Sequence, residues 1–353
     1  MINNKAYENT MQPVVVKKMM RKKFSVIFLT LLFIVVGTIL SITVGAANIG
    51  LQTIFQSITA YNPTDVQHYT IIEMRLPRAV AAALIGACFA AAGTIMQAMT
   101  RNPLASPGTL GVSAGSSFAI IVAFAFFPSL SYSHFILFSL LGAAITTVFV
   151  YFVGTITSVS LTGHVSHVKL ALVGAATGAF LGAFGKGIEL YLGIQQSVLY
   201  WYSAGVAGVK WSEVLLLLPW AIAGLVLAII LSRNLTMLAL GDETAANLGS
   251  KVKRIKAFCA ITVFILTGAA VAISGPIGFI GLIIPHLTRF FVGIDYRWVV
   301  PSSALLGACF MLTADALSRM VNPPYETPAG VITSLIGVPF FLYLARKEGK
   351  ISI

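Results

Sequence analysis

The sequence predicts an all-α polytopic membrane protein of about ten transmembrane helices, arranged as two five-helix halves inverted relative to each other. Three observations carry this prediction. The 353-residue chain is 58% hydrophobic and only 10% charged, with a mean hydropathy of +0.91. A water-soluble fold cannot hide that much apolar side chain, because its surface must still be solvated. The apolar residues also recur in runs of roughly 20, the length that crosses a bilayer as a helix. Finally, the bases cluster between those runs.

The runs lie near residues 24–46, 76–99, 109–127, 134–156, 168–192, 213–232, 256–274, 278–292, 299–318 and 329–345. Gly and Pro shorten or interrupt the third, eighth and tenth. The first follows KKMMRKK and exceeds the roughly 7–15 residues of a signal-peptide core, so a retained span is expected. Residues 1–23 then form a cytoplasmic N-terminal segment, with 1–16 expected to be poorly ordered. Residues 24–347 form the membrane domain, and 348–353 a cytoplasmic tail.

An even number of spans puts both termini on one side. With the termini inside, 18 of the 23 Lys and Arg residues fall on inner loops. Arg75, Arg78, Lys186, Lys210 and Arg319 fall on outer ones. The positive-inside rule therefore predicts a multi-pass membrane protein with both termini in the cytoplasm. The net charge of +12 is spread over these loops rather than along one stripe, so it does not indicate a nucleic-acid partner. The bilayer is the partner that composition implies.

Small residues recur at four-residue spacing in Ala82, Gly86 and Ala90, and again in Gly174, Gly178 and Gly182. That spacing lets helix backbones approach closely, for tight packing, a subunit interface or a path lined by backbone. RNPLASPGTLG and SGPIGFIG break their spans, and such breaks survive at membrane depth only where protein or a water-filled cavity satisfies the backbone. Pro103 ends the second span, leaving Asn102 to cap or brace the loop.

Candidate chemistry is sparse. FGKG around Lys186 lacks the first Gly of a phosphate-binding loop and has Gly187 where Ser or Thr belongs, so no ATP site is expected. Cys88, Cys259 and Cys309 lie in apolar runs with no metal spacing. His164 and His167, three apart in a loop, are not expected to hold a metal, and His286 beside Pro285 suits a structural hydrogen bond. Asp315 has Arg319 four residues on, so an ion pair is expected there rather than a proton relay. Neither paired carboxylates nor a nucleophile–base set is present, which speaks against an enzyme.

The polar island LALGDETAANLGSKVKRIK, Leu238 to Lys256, stands apart. Gly241 interrupts the apolar run, Asp242 can cap a new helix, and Glu243 favours its first turn. Ala245, Ala246 and Leu248 give it a small apolar surface, and Gly249 suits a left-handed terminus. The island reads as a short capped helix on the cytoplasmic face, either a plain connector or a docking element for a soluble partner.

Five ordered motifs now resemble one family. They are RLPRAVAAALIGACFAAAGTIMQAMTRNPLASPGTLGVSAG, LALGDETAANLG, GPIGFIGLIIPHLTRFFVGIDYR, LTADALSR and PAGVITSLIGVPFFLYLARK. Together they resemble the FecCD-type permeases of ATP-binding cassette importers for iron–siderophore complexes, heme or vitamin B12, over the chain from about residue 24. The resemblance implies a transport subunit that binds no ATP or other cofactor itself, working beside separate ATPase subunits and a second permease copy or homologue. It implies a coupling helix at about 241–249 for ATPase docking (Gly241, Asp242, Glu243, Ala245, Ala246, Leu248 and Gly249). It further implies that Arg75, Arg78 and Arg319 receive acidic residues of an extracytoplasmic substrate-binding protein. Asn102 and Leu104 match inner-gate positions of a vitamin B12 importer in the family, whereas the second gate segment, VSHVK here, departs from the pattern. Iron(III)–siderophore is the expected cargo, with vitamin B12 or heme the alternatives. An ion-coupled secondary transporter is the competing class.

Overall fold

In the computed structural model, residues 4–44, 49–156, 167–322 and 325–348 are described. They form fourteen α-helices: α1 Asn4–Thr43, α2 Leu51–Thr59, α3 Val66–Tyr69, α4 Leu76–Thr100, α5 Val112–Phe126, α6 Tyr132–Ile156, α7 His167–Leu192, α8 Gln195–Ala204, α9 Trp211–Ala239, α10 Asp242–Asn247, α11 Val252–Ser274, α12 Ile280–Val292, α13 Tyr296–Met320 and α14 Ala329–Glu348. A π-helical turn, Thr70–Arg75, joins α3 to α4. Each of the ten expected runs falls on a helix: α1, α4, α5, α6, α7, α9, α11, α12, α13 and α14.

Seven helices among the described residues are long and apolar enough to cross a bilayer, and α5, α12 and α14 are shorter. These three are the spans that Gly and Pro interrupt. Gly111 at the start of α5 and Phe279 at the start of α12 both take positive φ. Each helix begins only after the irregular backbone of its own broken motif. The chain before the first span differs from expectation: helix α1 starts at Asn4 and runs unbroken into the span. Its polar leader extends the same helix instead of forming a separate loose segment. Residues 157–166, with His164, and residues 349–353 lie outside the described residues.

Helix α4 is the centre of the bundle. It packs on α13, α9, α11 and α12, so the first half of the chain is threaded through the second. Eleven of its 25 residues are Ala or Gly, which allows this. A Cβ on Gly86 would sit 2.2 Å from the Gly307 carbonyl oxygen of α13, and one on Gly93 only 1.9 Å from that of Gly281 of α12. Backbones in contact at these points gain dispersion energy that lipid tails cannot match. The expected Ala82–Gly86–Ala90 stripe is thus a packing seam. The Gly174 stripe is different: Gly174 meets Leu110 of the broken loop, but Gly182 faces open space.

Candidate functional site

Chain order gives the bundle two ends. Helix α10 lies at one, between the close of α9 and the start of α11. The start of α4 and the ends of α1 and α13 lie at the other.

Helix α10 has six residues, less than two turns, shorter than the island's composition suggests. Gly241 precedes it at φ 120°, a conformation that a side chain would strain. Asp242 does not cap it, in contrast to expectation. No side-chain cap bond is made; the Asp242 carboxylate instead pairs with Lys256 Nζ on α11. A cationic partner on the next span outcompetes the local backbone for that carboxylate, and pins α10 to α11. Gly249 takes the expected left-handed conformation, φ 81°. Ala245 is wholly buried, while Glu243, Ala246 and Leu248 face outward. The helix therefore stands on Ala245 and displays its other side.

The island also touches the broken loop after α4. The Arg101 guanidinium lies 3.5 Å from where a Cβ on Gly241 would sit. Arg101 itself is the left-handed terminus of α4, at φ 49°. Next to it, Asn102 Oδ1 accepts a hydrogen bond from Leu104 N–H at 2.9 Å, the bracing role expected of it. Asn102 and Leu104 are half-buried. Behind them, buried Gln97 donates to the carbonyls of Gly281 and Leu282, at 3.3 and 3.2 Å, and accepts from Arg289 at 2.7 Å. One amide side chain of α4 thereby ties that helix to both turns of α12 that it meets. Nothing in the sequence singled out Gln97 or Arg289. His286 packs edge-on against Phe340, with ring centres 5.8 Å apart.

At the opposite end, the three arginines expected to form a docking surface are buried, each 8–9% exposed. Asp315, with no exposure at all, accepts from Arg78 at 2.9 Å and from Arg319 at 3.0 Å. The expected i,i+4 pair exists, but Arg78 shares its acid. Arg78 also bonds Glu326 at 2.7 Å. Arg319 donates to the Ser41 and Val44 carbonyls at 2.8 and 2.9 Å, and Arg75 donates to those of Ile42 and Thr43. Since α1 ends at Thr43, these guanidinium groups satisfy carbonyls that the helix leaves unpaired. In this single chain, carboxylate and carbonyl partners hold all three side chains inward, so none is displayed as an exposed charge. The outward-facing charge here is Glu326, whose side chain is 45% exposed.

A third polar group lies on α7. Lys186 Nζ pairs with Glu189 Oε2 at 2.7 Å, and Glu189 is buried. The sequence placed Lys186 outside but gave Glu189 no role. Among the described residues no group of three or more His, Cys, Asp or Glu side chains could hold a metal.

A many-span helical bundle with broken spans and a short helix displayed at one end defines a multi-pass membrane protein. The chain belongs to the FecCD transport family, whose family model matches residues 32–347. It is 50% identical over 314 residues to the iron(3+)-hydroxamate import system permease protein FhuB of Bacillus subtilis, covering 89% of this chain and 81% of that one. It is 39% identical over 320 residues to the hemin transport system permease protein HmuU of Yersinia pestis, covering 87% and 92%. Among solved structures, an inward-facing metal-chelate type ABC transporter superposes with a TM-score of 0.78 at 28% identity, over 92% of this chain and 99% of that chain.

Proposed function

We propose that this chain is the permease subunit of an ATP-binding cassette importer for iron(III)–siderophore complexes, and that hydroxamate chelates are its cargo. The observation that carries the transport mechanism is α10: a short helix pinned by Asp242–Lys256, with Glu243, Ala246 and Leu248 turned outward. This is a rigid handle for a soluble ATPase subunit, which binds the ATP. Its proximity to Arg101 gives a direct mechanical link to the Asn102–Leu104 loop. Closure of two ATPase subunits would move α10, and the broken loops would follow, shifting the bundle between inward- and outward-open populations. The 50% identity to a hydroxamate permease favours that cargo over heme or vitamin B12.

Both termini and α10 face the cytoplasm in this reading, which the distribution of loop charges supports. Two permease copies, or this chain and a homologue, enclose the path. A substrate-binding protein delivers cargo to the end that holds Arg78, Asp315 and Glu326. Since the arginines are occupied, docking there begins at Glu326 and the surrounding loops. The ion-coupled alternative loses support here, because the buried Asp315 carboxylate is already paired with both Arg78 and Arg319.

The test is uptake of labelled ferric hydroxamate, ferric citrate, heme and vitamin B12 by cells with and without the chain. Loss of ferric hydroxamate uptake alone supports the proposal; loss of only another cargo replaces it.

A further inference from the structure

The charged pair on α7 opens onto a cavity of about 460 Å³, within the range of small-molecule sites. Ser117 and Phe118 of α5, Gly182, Lys186 and Glu189 of α7, and Tyr202 of α8 line it. Four of these six bring polar groups to a wall that is otherwise apolar. Helix α7 is the least buried of the seven long spans. Beside the pair it presents bare backbone: a Cβ on Gly182 or Gly187 would meet nothing within 4 Å.

The Lys186–Glu189 bridge joins two positions of one helix, so it ties α7 to no neighbour. Glu189 is only 5% exposed, whereas the Lys186 side chain is 62% exposed at the rim. Burying a carboxylate is costly, and a partly exposed ion pair returns little stability. Charges facing a cavity in a membrane helix point to a role in the path. Together these two cancel, so the cavity wall carries polarity without net charge.

We propose that Lys186 and Glu189 form a charge-balanced cargo contact that sets the preference among ferric hydroxamates by their net charge. This rests on the importer reading above. A neutral chelate meets amide- and hydroxyl-compatible groups and no uncompensated field. Removing either member leaves a unit charge beside the passing chelate. Glu189→Gln leaves Lys186 unpaired and repels a cation; Lys186→Gln leaves Glu189 unpaired and attracts one.

The experiment follows two ferric trihydroxamates with the same iron donors, one neutral and one bearing a pendant ammonium group. They carry different iron isotopes and are offered together to cells expressing the wild type or either variant at matched membrane levels. The cationic-to-neutral uptake ratio cancels differences in expression and delivery. It should fall in Glu189→Gln and rise in Lys186→Gln, each on the order of fivefold for unit charges several ångströms apart at a partly desolvated wall. Lys186→Gln alters an exposed side chain and carries the test alone should Glu189→Gln not reach the membrane. An unmoved ratio in a well-expressed variant, with wild-type uptake intact, overturns the charge-balance proposal alone. A wild type that imports neither chelate overturns the importer reading and this proposal with it.

Discussion

Gly93 and Gly281 meet backbone to backbone: a Cβ on Gly93 would lie 1.9 Å from the Gly281 carbonyl oxygen. No side chain fits that space, and the obstruction is main chain that cannot rotate away. Gly93→Ala should therefore force α4 and α12 apart, at a cost of about 1–3 kcal/mol. Gly182→Ala, which meets nothing within 4 Å, is the control and should change stability by less than about 0.5 kcal/mol. Thermal unfolding of the detergent-solubilised protein compares the two.

Asp315 is the single acid between two buried arginines. Replacing it with Ala leaves both guanidinium groups short of a counter-charge, and should destabilise the bundle by about 3–5 kcal/mol. Glu326→Gln removes only the exposed partner of Arg78 and should cost less than about 1 kcal/mol. Chemical denaturation with matched detergent reads the difference. Equal losses in the two variants would contradict the hierarchy of burial.

Gly241 is needed for its conformation rather than for space. At φ 120°, Gly241→Ala strains the backbone by about 1–3 kcal/mol, enough to tilt or unwind so short a helix. ATPase co-purification should fall while the melting temperature of the isolated bundle stays near wild type. Lys256→Gln, which unpins Asp242, should act in the same direction.

Glu243 lies on the displayed side of α10. Glu243→Arg reverses a charge at the ATPase contact without disturbing buried Ala245. Uptake should drop at least tenfold at normal membrane level, the loss expected of about 1.4 kcal/mol or more at an interface.

Local pattern made much of this legible. The apolar runs located ten helices, and Gly and Pro marked the short ones, because hydrophobic length and backbone breaks are properties of adjacent residues. The Asp315–Arg319 pair was readable at helical spacing, as was the left-handed Gly249. What escaped was tertiary. Arg78 reaches Asp315 across 237 positions, and Gln97 reaches Arg289 across 192. Asp242 looked like a cap because Lys256, fourteen residues on, is a competitor that only packing of α10 beside α11 reveals. The arginines looked like surface groups because loop charge gives the side of the membrane, not the depth of a side chain. Glu189 lay at readable spacing from Lys186, but only the cavity gives the pair a purpose.

The most direct test of the importer account uses proteoliposomes containing the chain with its ATPase subunits, and the chain alone. Labelled ferric hydroxamate delivered by the binding protein is followed with ATP, with a non-hydrolysable analogue, or under an ion gradient. The account predicts accumulation only for the full complex hydrolysing ATP. Accumulation by the chain alone under an ion gradient would contradict it.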